Sequence, residues 1–233
     1  MRKNEFLNGI KDGIPICLGY FSVSMAFGLA VVLSGFPGWA AILTSFTNLT
    51  SAGQFAGVNI LVAGGQLAEL AITTLIINMR YFLMSLSVSQ KIDSSMTLLE
   101  RLLISFGITD EIFAVSMRYN RPLTFAYMAG LILTPVIGWT GGTTVGAIAT
   151  SVMPESLSSA MGIALYGMFI AIIIPPSREN KNILAAIIFS VAASVVFSYA
   201  PIFNNISDGW AIILITVVIS ALCATMFPVK EEG

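Results

Sequence analysis

Residues 13–68 contain no charged side chain and read GIPICLGYFSVSMAFGLAVVLSGFPGWAAILTSFTNLTSAGQFAGVNILVAGGQLA. A helix that crosses a membrane needs about 20 consecutive apolar residues, so this run of 56 residues is long enough for two. The turn-forming cluster Ser34–Gly38 divides it. The first predicted span is therefore Gly13–Leu33 and the second is Trp39–Val62, which places the chain in a membrane.

The composition of the whole chain supports the same class. Hydrophobic residues make up 56% of the 233 residues and charged residues only 10%, with a mean hydropathy of +0.89, whereas soluble domains carry about 25% charged residues. The net charge of −1 offers no field that would attract nucleic acid. No histidine is present, which excludes His-ligated metals and imidazole-based catalysis. We expect no metal and no cofactor, and we expect Cys17 and Cys223 to be free thiols.

The remaining charges predict an all-α, polytopic integral membrane protein with about eight transmembrane helices in one domain, 1–233. The other six predicted spans are Leu67–Ser89, Leu102–Met117, 122–154, Ser158–Ile174, Ile183–Tyr199 and Trp210–Phe227. The fourth of the eight spans is short and holds two acids. If it does not cross, the count becomes seven.

The distribution of basic residues predicts the orientation of the eight spans in the membrane. With both termini cytoplasmic, the inner segments hold eight basic residues and the outer loops hold two, Lys91 and Arg101. This bias follows the positive-inside rule. The inner set is Arg2, Lys3, Lys11, Arg118, Arg121, Arg178, Lys181 and Lys230. The predicted location is the cell membrane, with the lipid bilayer as the surrounding medium.

A weak internal repeat suggests two halves, 10–118 and 122–228. Both begin with a proline, then glycine-aromatic, then a glycine seven or eight positions later. The first copy has Pro15, Gly19, Tyr20 and Gly28, and the second has Pro135, Gly138, Trp139 and Gly146. Leu49–Ala52 is echoed by Leu157–Ala160. Interrupted spans in matching positions are typical of transporter sites, although small residues are also common in membrane helices by chance.

The second span carries the first candidate site, Ser51, Gly53 and Gln54, in the middle of an apolar helix. We expect Gly53 to break this helix, since unwound backbone in a membrane is tolerated where it lines a cavity. Its freed polar groups would bind the charged ends of a zwitterion. The alternative is close packing through small polar residues.

The third and fourth spans carry the charged candidates. Arg80, next to Asn78, either binds a substrate carboxylate with its planar fork or pairs permanently with Asp110 or Glu111. Asp110 and Glu111 are also candidates for proton coupling, together with Glu69, which we expect near water at a span end. The alternative for the adjacent pair is a membrane-edge helix.

Glycines and prolines are assigned to helix packing or hinges. Gly142 and Gly146 have the GxxxG spacing that lets helices approach closely. Pro15, Gly19 and Gly28 take the same role in the first span, and Gly130 is read as an ordinary packing position. No Walker loop or HExxH motif is present, so the chain does not hydrolyse ATP and we do not expect an enzyme.

Five blocks in order resemble the AzlC family, the large subunits of branched-chain amino acid exporters of the LIV-E type. They cover about residues 10–150. The blocks are Gly13-Ile14-Pro15 through Gly28, Ser51-Ala52-Gly53-Gln54-Phe55, Asn78-Met79-Arg80-Tyr81, Thr109-Asp110-Glu111-Ile112-Phe113, and Trp139 with 141–146. Tyr81 stands where many members of the family have histidine.

The resemblance implies gradient-driven export of valine, leucine and isoleucine, and of methionine or toxic analogues. It also implies a separate, small AzlD-like membrane subunit as partner. The residues themselves indicate only a carrier with an intramembrane arginine and acids, for which we expect proton coupling through a carboxylate. Two other classes stay open, a channel formed by an oligomer and a non-catalytic assembly subunit.

Overall fold

The computed structural model describes residues 2–150, 170, 173–174, 177–203 and 206–228. Within these residues the secondary structure is helical except for one isolated bridge, Ile92 to Leu123. The chain forms two compact units. Unit 1 comprises Met1–Phe55 with Asn78–Gly162, and unit 2 comprises Ala56–Ile77 with Ile163–Gly233.

Nine helices are described. They are α1 Arg2–Leu33, α2 Gly38–Thr47, α3 Ala52–Val62, α4 Leu67–Ser89, α5 Leu98–Phe106, α6 Asp110–Arg118, α7 Phe125–Ala149, α8 Lys181–Tyr199 and α9 Asp208–Met226. Of these, α1, α4, α7, α8 and α9 are long and apolar enough to cross a membrane. They correspond to the first, third, fifth, seventh and eighth predicted spans. Most of the sixth, together with Leu157–Ala160 of the suggested repeat, lies outside the described residues.

Helices α1 and α7 form the centre of unit 1, and they run parallel. Near the start of both helices, Gly9 lies against the backbone of Tyr127, and near their ends Gly28 lies against Thr143. Residue numbers thus rise together along the contact. Because glycine has no Cβ, the two backbones touch directly, as small residues permit in membrane helix pairs.

The second predicted span is broken, as expected. Helix α2 ends at Thr47, Asn48 is extended (φ −152°, ψ 127°), and α3 begins at Ala52. A side-chain hydrogen bond joins Gln54 on α3 to Ser45 on α2 at 3.1 Å. Two residues nine positions apart on one straight helix would be about 13 Å apart, so the chain doubles back at the break. We call α2, the break and α3 the first hairpin.

The fourth predicted span, Leu102–Met117, is wrong as a single helix. Helix α5 begins with a capping box, in which Thr97 and Glu100 satisfy each other's backbone N–H groups, and it ends at Gly107. Helix α6 then starts with Thr109 as its N-cap. We call α5, the break 107–109 and α6 the second hairpin. Each helix has nine residues, about 14 Å long, which is half of a bilayer core.

The two loops that flank the second hairpin are bonded to each other. The backbone N–H of Asp93 donates to the carbonyl of Leu123 at 2.9 Å, and the N–H of Leu123 donates to Lys91 at 2.9 Å. The Lys91 ammonium also donates to the carbonyl of Met117 at 2.6 Å. The hairpin therefore returns to the end at which it entered. The prediction that Lys91 and Arg101 lie opposite Arg118 and Arg121 is wrong, since these loops share one end of unit 1.

Unit 2 contains the first part of α4 together with α8 and α9. The rings of Phe197 and Phe203 stack at 4.1 Å between centroids. Glu69, in the first turn of α4, lies against Gly209 at the start of α9 and accepts a hydrogen bond from the Ser207 hydroxyl. A cavity of about 330 Å³ lies in this unit and is lined mainly by apolar residues of α8 and α9.

Candidate functional site

The breaks of the two hairpins face each other across a cavity inside unit 1. Its volume is about 150 Å³. One wall is the first break with its neighbours, another is the turn of the second hairpin, and α4 supplies the third. The lining residues are Thr47, Asn48, Leu49 and Thr50, then Asn78 and Tyr81, then Ser105, Phe106 and Ile108. Sequence reasoning included Asn78 but did not identify Tyr81 or the turn of the second hairpin as part of a site.

Polar groups of the first break are only partly satisfied within the protein. The Thr50 N–H donates to the side chain of Asn48 at 3.1 Å, and the Thr50 hydroxyl donates to the Asn78 side chain. Ser51 has a φ of +28°, in the left-handed region. Its hydroxyl oxygen is buried without a hydrogen-bond partner in the described residues. A buried polar atom without a partner is uncommon and marks a place where a ligand could bind.

The break is not at Gly53, where we predicted it. It lies at 48–51, where Asn48 is extended, the Thr50 N–H donates to the Asn48 side chain and Ser51 has a positive φ. Gly53 is in the first turn of α3. A Cβ there would approach the Thr50 side chain to 2.8 Å and the Asn78 amide oxygen to 3.4 Å. Gly53 thus allows close contact between α3 and α4 rather than a bend.

Gln54 is buried, and both ends of its amide are bonded within the protein. Trp139 donates to its oxygen at 2.9 Å, and its nitrogen donates to Ser45 at 3.1 Å. Ser45 also shares a 2.7 Å hydrogen bond with Thr143. In this arrangement Gln54 holds the first hairpin onto α7. It has little capacity left for a substrate, contrary to the role expected from sequence.

Arg80 pairs with Asp110 rather than Glu111. The distance between Arg80 Nη1 and Asp110 Oδ2 is 2.8 Å, and the two side chains are 45% and 46% exposed. The pair joins α4 to the first turn of α6. Charged residues in membrane spans are rare, usually pair with one another and often mark functional sites, so this ion pair is a candidate functional feature.

Glu111 contacts Tyr20, whereas the adjacent Asp110 contacts Arg80. The Tyr20 hydroxyl lies 2.5 Å from Glu111 and 2.7 Å from the Thr109 hydroxyl. The Tyr20 ring meets Trp139 edge-on, with centroids 5.4 Å apart. Tyr20 and Trp139 therefore connect the second hairpin to the Gln54 contacts of the first. Sequence reasoning noticed both aromatics in the suggested repeat, but it did not assign them a polar role.

Glu69 belongs to unit 2, whereas the other candidate acids, Asp110 and Glu111, belong to unit 1. Glu69 is only 4% exposed, so the expectation that it lies near water is wrong. Its carboxylate is held at the first turns of α4 and α9, where helix N-termini favour negative charge. Among the described residues, no group of three or more Cys, Asp and Glu side chains is placed to hold a metal ion.

Only some of the residues assigned to helix packing make close contacts with a neighbouring helix. A Cβ on Gly28, Gly142 or Gly146 would overlap a backbone carbonyl of the neighbouring helix, while Pro15 and Pro135 lie within continuous helices. Gly19 was placed in this group wrongly, because no described atom lies within 4 Å of its Cβ position. Gly130 is no ordinary packing position, since its Cβ would overlap the Phe6 carbonyl and approach the Ile10 nitrogen to 3.0 Å.

These features define an integral membrane protein of the all-helical class with a small polar cavity between two interrupted helices. The chain belongs to the AzlC family, because the family described as AzlC protein matches residues 15–153. This confirms the resemblance found in the sequence. The match covers both hairpins and α7.

Curated relatives agree with this assignment. The chain is 28% identical over 202 residues to "Inner membrane protein YgaZ" of Escherichia coli, covering 83% of this chain and 82% of the relative. It is 27% identical over 184 residues to an "Uncharacterized membrane protein" of Archaeoglobus fulgidus, covering 78% and 80%. It is 24% identical over 190 residues to "Branched-chain amino acid transport protein AzlC" of Bacillus subtilis, covering 79% and 74%.

No solved structure gives a significant match. The names of the family and of the relatives point to membrane transport rather than to an enzyme. Together with the five long apolar helices, they support a location in the cell membrane.

Proposed function

We propose that this protein is the large subunit of a secondary active exporter of branched-chain amino acids. The observation that carries the proposal is the cavity between two helix breaks of opposite electrostatic character. The printed name of the Bacillus subtilis relative supports the substrate class. Interrupted helices with a site between them are the usual construction of secondary transporters.

The two breaks match the two charged ends of an amino acid. The first turn of α3 contains no acid, so its N–H groups and the Ser51 hydroxyl suit a carboxylate. The first turn of α6 carries Asp110 and Glu111, which suit an ammonium group. In this proposal Ser51, Gly53, Asn78 and Arg80 form the substrate site, and Arg80 leaves Asp110 when substrate arrives.

Proton coupling is the finer part of the proposal. Without histidine, a carboxylate must take up the proton, and the candidates are Asp110, Glu111 and Glu69. Asp110 ranks first because it forms the ion pair with Arg80, which we assign to the proposed site, and Arg80 is its only cationic partner among the described residues. Glu111 ranks second through its contact with Tyr20, and Glu69 ranks third because it belongs to unit 2.

The proposed assembly and the orientation of the termini are taken from the sequence predictions, although the second hairpin changes the predicted topology. We propose a small AzlD-like partner subunit, a cytoplasmic N-terminus and C-terminus, and an internal repeat with halves 10–118 and 122–228. The reciprocal contacts of α1 and α7 support the repeat. Gly28 lies against the Thr143 carbonyl and Gly146 against the Met25 carbonyl, each three residues before the matching glycine.

Counterflow of labelled valine in proteoliposomes tests the function. The chain should be reconstituted with and without its small partner, and labelled valine should accumulate against internal unlabelled valine. Leucine and isoleucine should compete, whereas lysine and glutamate should not. Saturable exchange separates a carrier from a channel. Exchange that stays normal in a variant with both Arg80→Gln and Asp110→Asn would show that this subunit serves assembly.

A further inference from the structure

A basic cavity lies at the end of unit 1 where α1 begins and α6 ends, away from the hairpin breaks. Its volume is about 620 Å³. Three cationic side chains from three segments line it, Lys11 on α1, Arg118 at the end of α6 and Arg121 in the loop before α7. A second cavity of about 480 Å³ shares residues 119–121 with it. The proposed transport site uses none of these cations.

Acids at this end of the unit are already engaged. Glu5 accepts a hydrogen bond from Thr124 at 2.6 Å, and Asp12, which also lines the cavity, accepts one from Tyr127 at 2.8 Å. Hydrogen bonds from the Ser95 hydroxyl and N–H hold the pKa of Asp93 below its usual value. None of these carboxylates forms an ion pair with a described cation.

Basic side chains at the same end fall into two groups. Lys91 donates to the carbonyls of Ser116 and Met117, and Arg101 donates to the carbonyl of Met96 at 3.1 Å. The second group is Lys11, Arg118 and Arg121, which make no ion pair within the described residues. Three cations against the single carboxylate Asp12 leave the cavity with a net charge of about +2.

The lining also has neutral groups that suit a phosphate ester. Asn8 and Asn120 offer amide N–H donors, and guanidinium groups bind phosphate oxygens in pairs. The stacked rings of Tyr119 and Tyr127, 3.9 Å apart, form an apolar wall beside them. Lys11 lies two positions before Gly13, where the uncharged stretch of α1 begins, so we place the cavity near the level of the bilayer phosphates.

We propose that this basic cavity binds the phosphate of an anionic ligand, and that a phospholipid headgroup supplies it in the membrane. A free phosphate offers the same chemistry without acyl chains. A headgroup bound to Lys11, Arg118 and Arg121 would tie the start of α1 to the base of the second hairpin. The proposal does not depend on which substrate is transported.

Native mass spectrometry of the full chain in detergent tests the site, with dioleoyl phosphatidylglycerol as the probe. A variant combining Lys11→Gln, Arg118→Gln and Arg121→Gln should lose at least tenfold in lipid affinity. A matched control combining Lys3→Gln, Arg178→Gln and Lys181→Gln removes the same charge elsewhere and should bind like the wild type. Phosphatidylcholine should bind at least tenfold more weakly than phosphatidylglycerol.

Competition between inorganic phosphate and the lipid is the second part of the experiment. Displacement of the lipid by phosphate only at millimolar concentrations supports a headgroup site, whereas micromolar phosphate binding assigns the cavity to a free phosphate. Equal lipid binding by the triple variant and the control overturns the proposal. If the triple variant does not fold, Arg121→Gln should weaken lipid binding several-fold and Arg121→Lys should largely retain it. Equal binding by both would also overturn the site.

Discussion

The two hairpins have the same construction but opposite polarity at their breaks. In the first hairpin, α3 begins with Ala52 and Gly53, and the helix N-terminus meets no acid of its own. In the second, α6 begins with Asp110 and Glu111, which neutralise the corresponding helix end. The first break therefore favours an anionic group and the second a cationic one. In the proposed function, the two breaks together would hold the two charged ends of a zwitterion.

The hairpins also differ in how they are held. The first is fixed by two buried hydrogen bonds, one from Trp139 to Gln54 and one from Gln54 to Ser45. The second is fixed near its break by the hydrogen bond from Tyr20 to Glu111 and by the half-exposed ion pair of Arg80 with Asp110. Buried networks are costly to break, whereas the ion pair is only half-buried within unit 1. We expect the second break to change its contacts during transport and the first to remain fixed.

The largest effect is expected from removing the charge at the second break. Asp110→Asn should reduce valine accumulation driven by a pH gradient at least tenfold, which corresponds to about 1.4 kcal/mol or more. Exchange at equal pH should remain measurable, because the binding groups of the first break are intact. Proteoliposome uptake with and without a pH gradient gives both quantities.

Asp93→Asn is the matched control for this change. Asp93 lies outside the hairpin, where it is bonded to Ser95, so its replacement should leave gradient-driven uptake within twofold of the wild type. Proton coupling through this subunit would be ruled out if Asp110→Asn, Glu111→Gln and Glu69→Gln each retained full uptake.

A smaller but still large effect is expected from crowding the first break. Gly53→Val places a branched side chain against Thr50 and Asn78, at about 3 Å from Thr50. Transport should fall about tenfold, mainly through a higher KM, because the walls of the cavity are displaced. Initial rates of uptake at several valine concentrations separate KM from kcat.

Gly19→Val is the control for added volume in an α-helix. No described atom lies within 4 Å of that Cβ position, so the variant should transport normally. Gly130, which the sequence favoured for this purpose, is unsuitable because it contacts Phe6. Equal transport by Gly53→Val and Gly19→Val would move the site away from the first break.

The sequence predicted the helical membrane class and the interruption of the second span for sound physical reasons. Long uncharged runs can be stable only in lipid, and small polar residues in such a run favour a break. The exact position of the break was missed because it also depends on a contact between distant segments, the hydrogen bond from the Thr50 hydroxyl to the Asn78 side chain. The local bond from the Thr50 N–H to Asn48 is a turn signal that sequence reasoning did not use.

The second hairpin and the packing glycines were beyond sequence reasoning for a different reason. Lys91 and Leu123 meet only after the 31 intervening residues have folded, and the charges at Asp110 and Glu111 gave no sign of a turn. Gly19 and Gly130 exchanged roles because spans that are apolar all round do not reveal which face meets another helix. Contacts between distant segments determine both the fold of the second hairpin and which glycines pack against another helix.

A moderate effect on stability is expected at the link between the first hairpin and α7. Trp139→Phe removes the indole N–H and leaves the buried Gln54 oxygen without a donor, which should cost about 1–3 kcal/mol. The variant with both Trp139→Phe and Gln54→Leu should be less destabilised than the sum of the single changes. Unfolding in mixed micelles measures all three.

Trp39→Phe provides the control, because Trp39 is 67% exposed and makes no comparable contact. It should unfold like the wild type. If the effects of Trp139→Phe and Gln54→Leu on the free energy of unfolding were strictly additive, the two side chains would not be directly linked. The first hairpin would then be as free to move as the second.

The smallest effect concerns two buried hydroxyls that lack partners, Ser51 in the first break and Thr140 on α7. Removing either one deletes no hydrogen bond within the described protein, so Ser51→Ala and Thr140→Val should both keep or slightly raise the free energy of unfolding. Their effects on transport should differ. If Ser51 bonds the substrate carboxylate, Ser51→Ala should raise KM three- to tenfold, in line with a net hydrogen-bond contribution of about 1 kcal/mol, while Thr140→Val leaves KM unchanged. A raised KM in both variants would indicate a general loosening of unit 1, and an unchanged KM in both would leave the carboxylate to Arg80. Only the asymmetric result assigns the anionic end of the substrate to the first break.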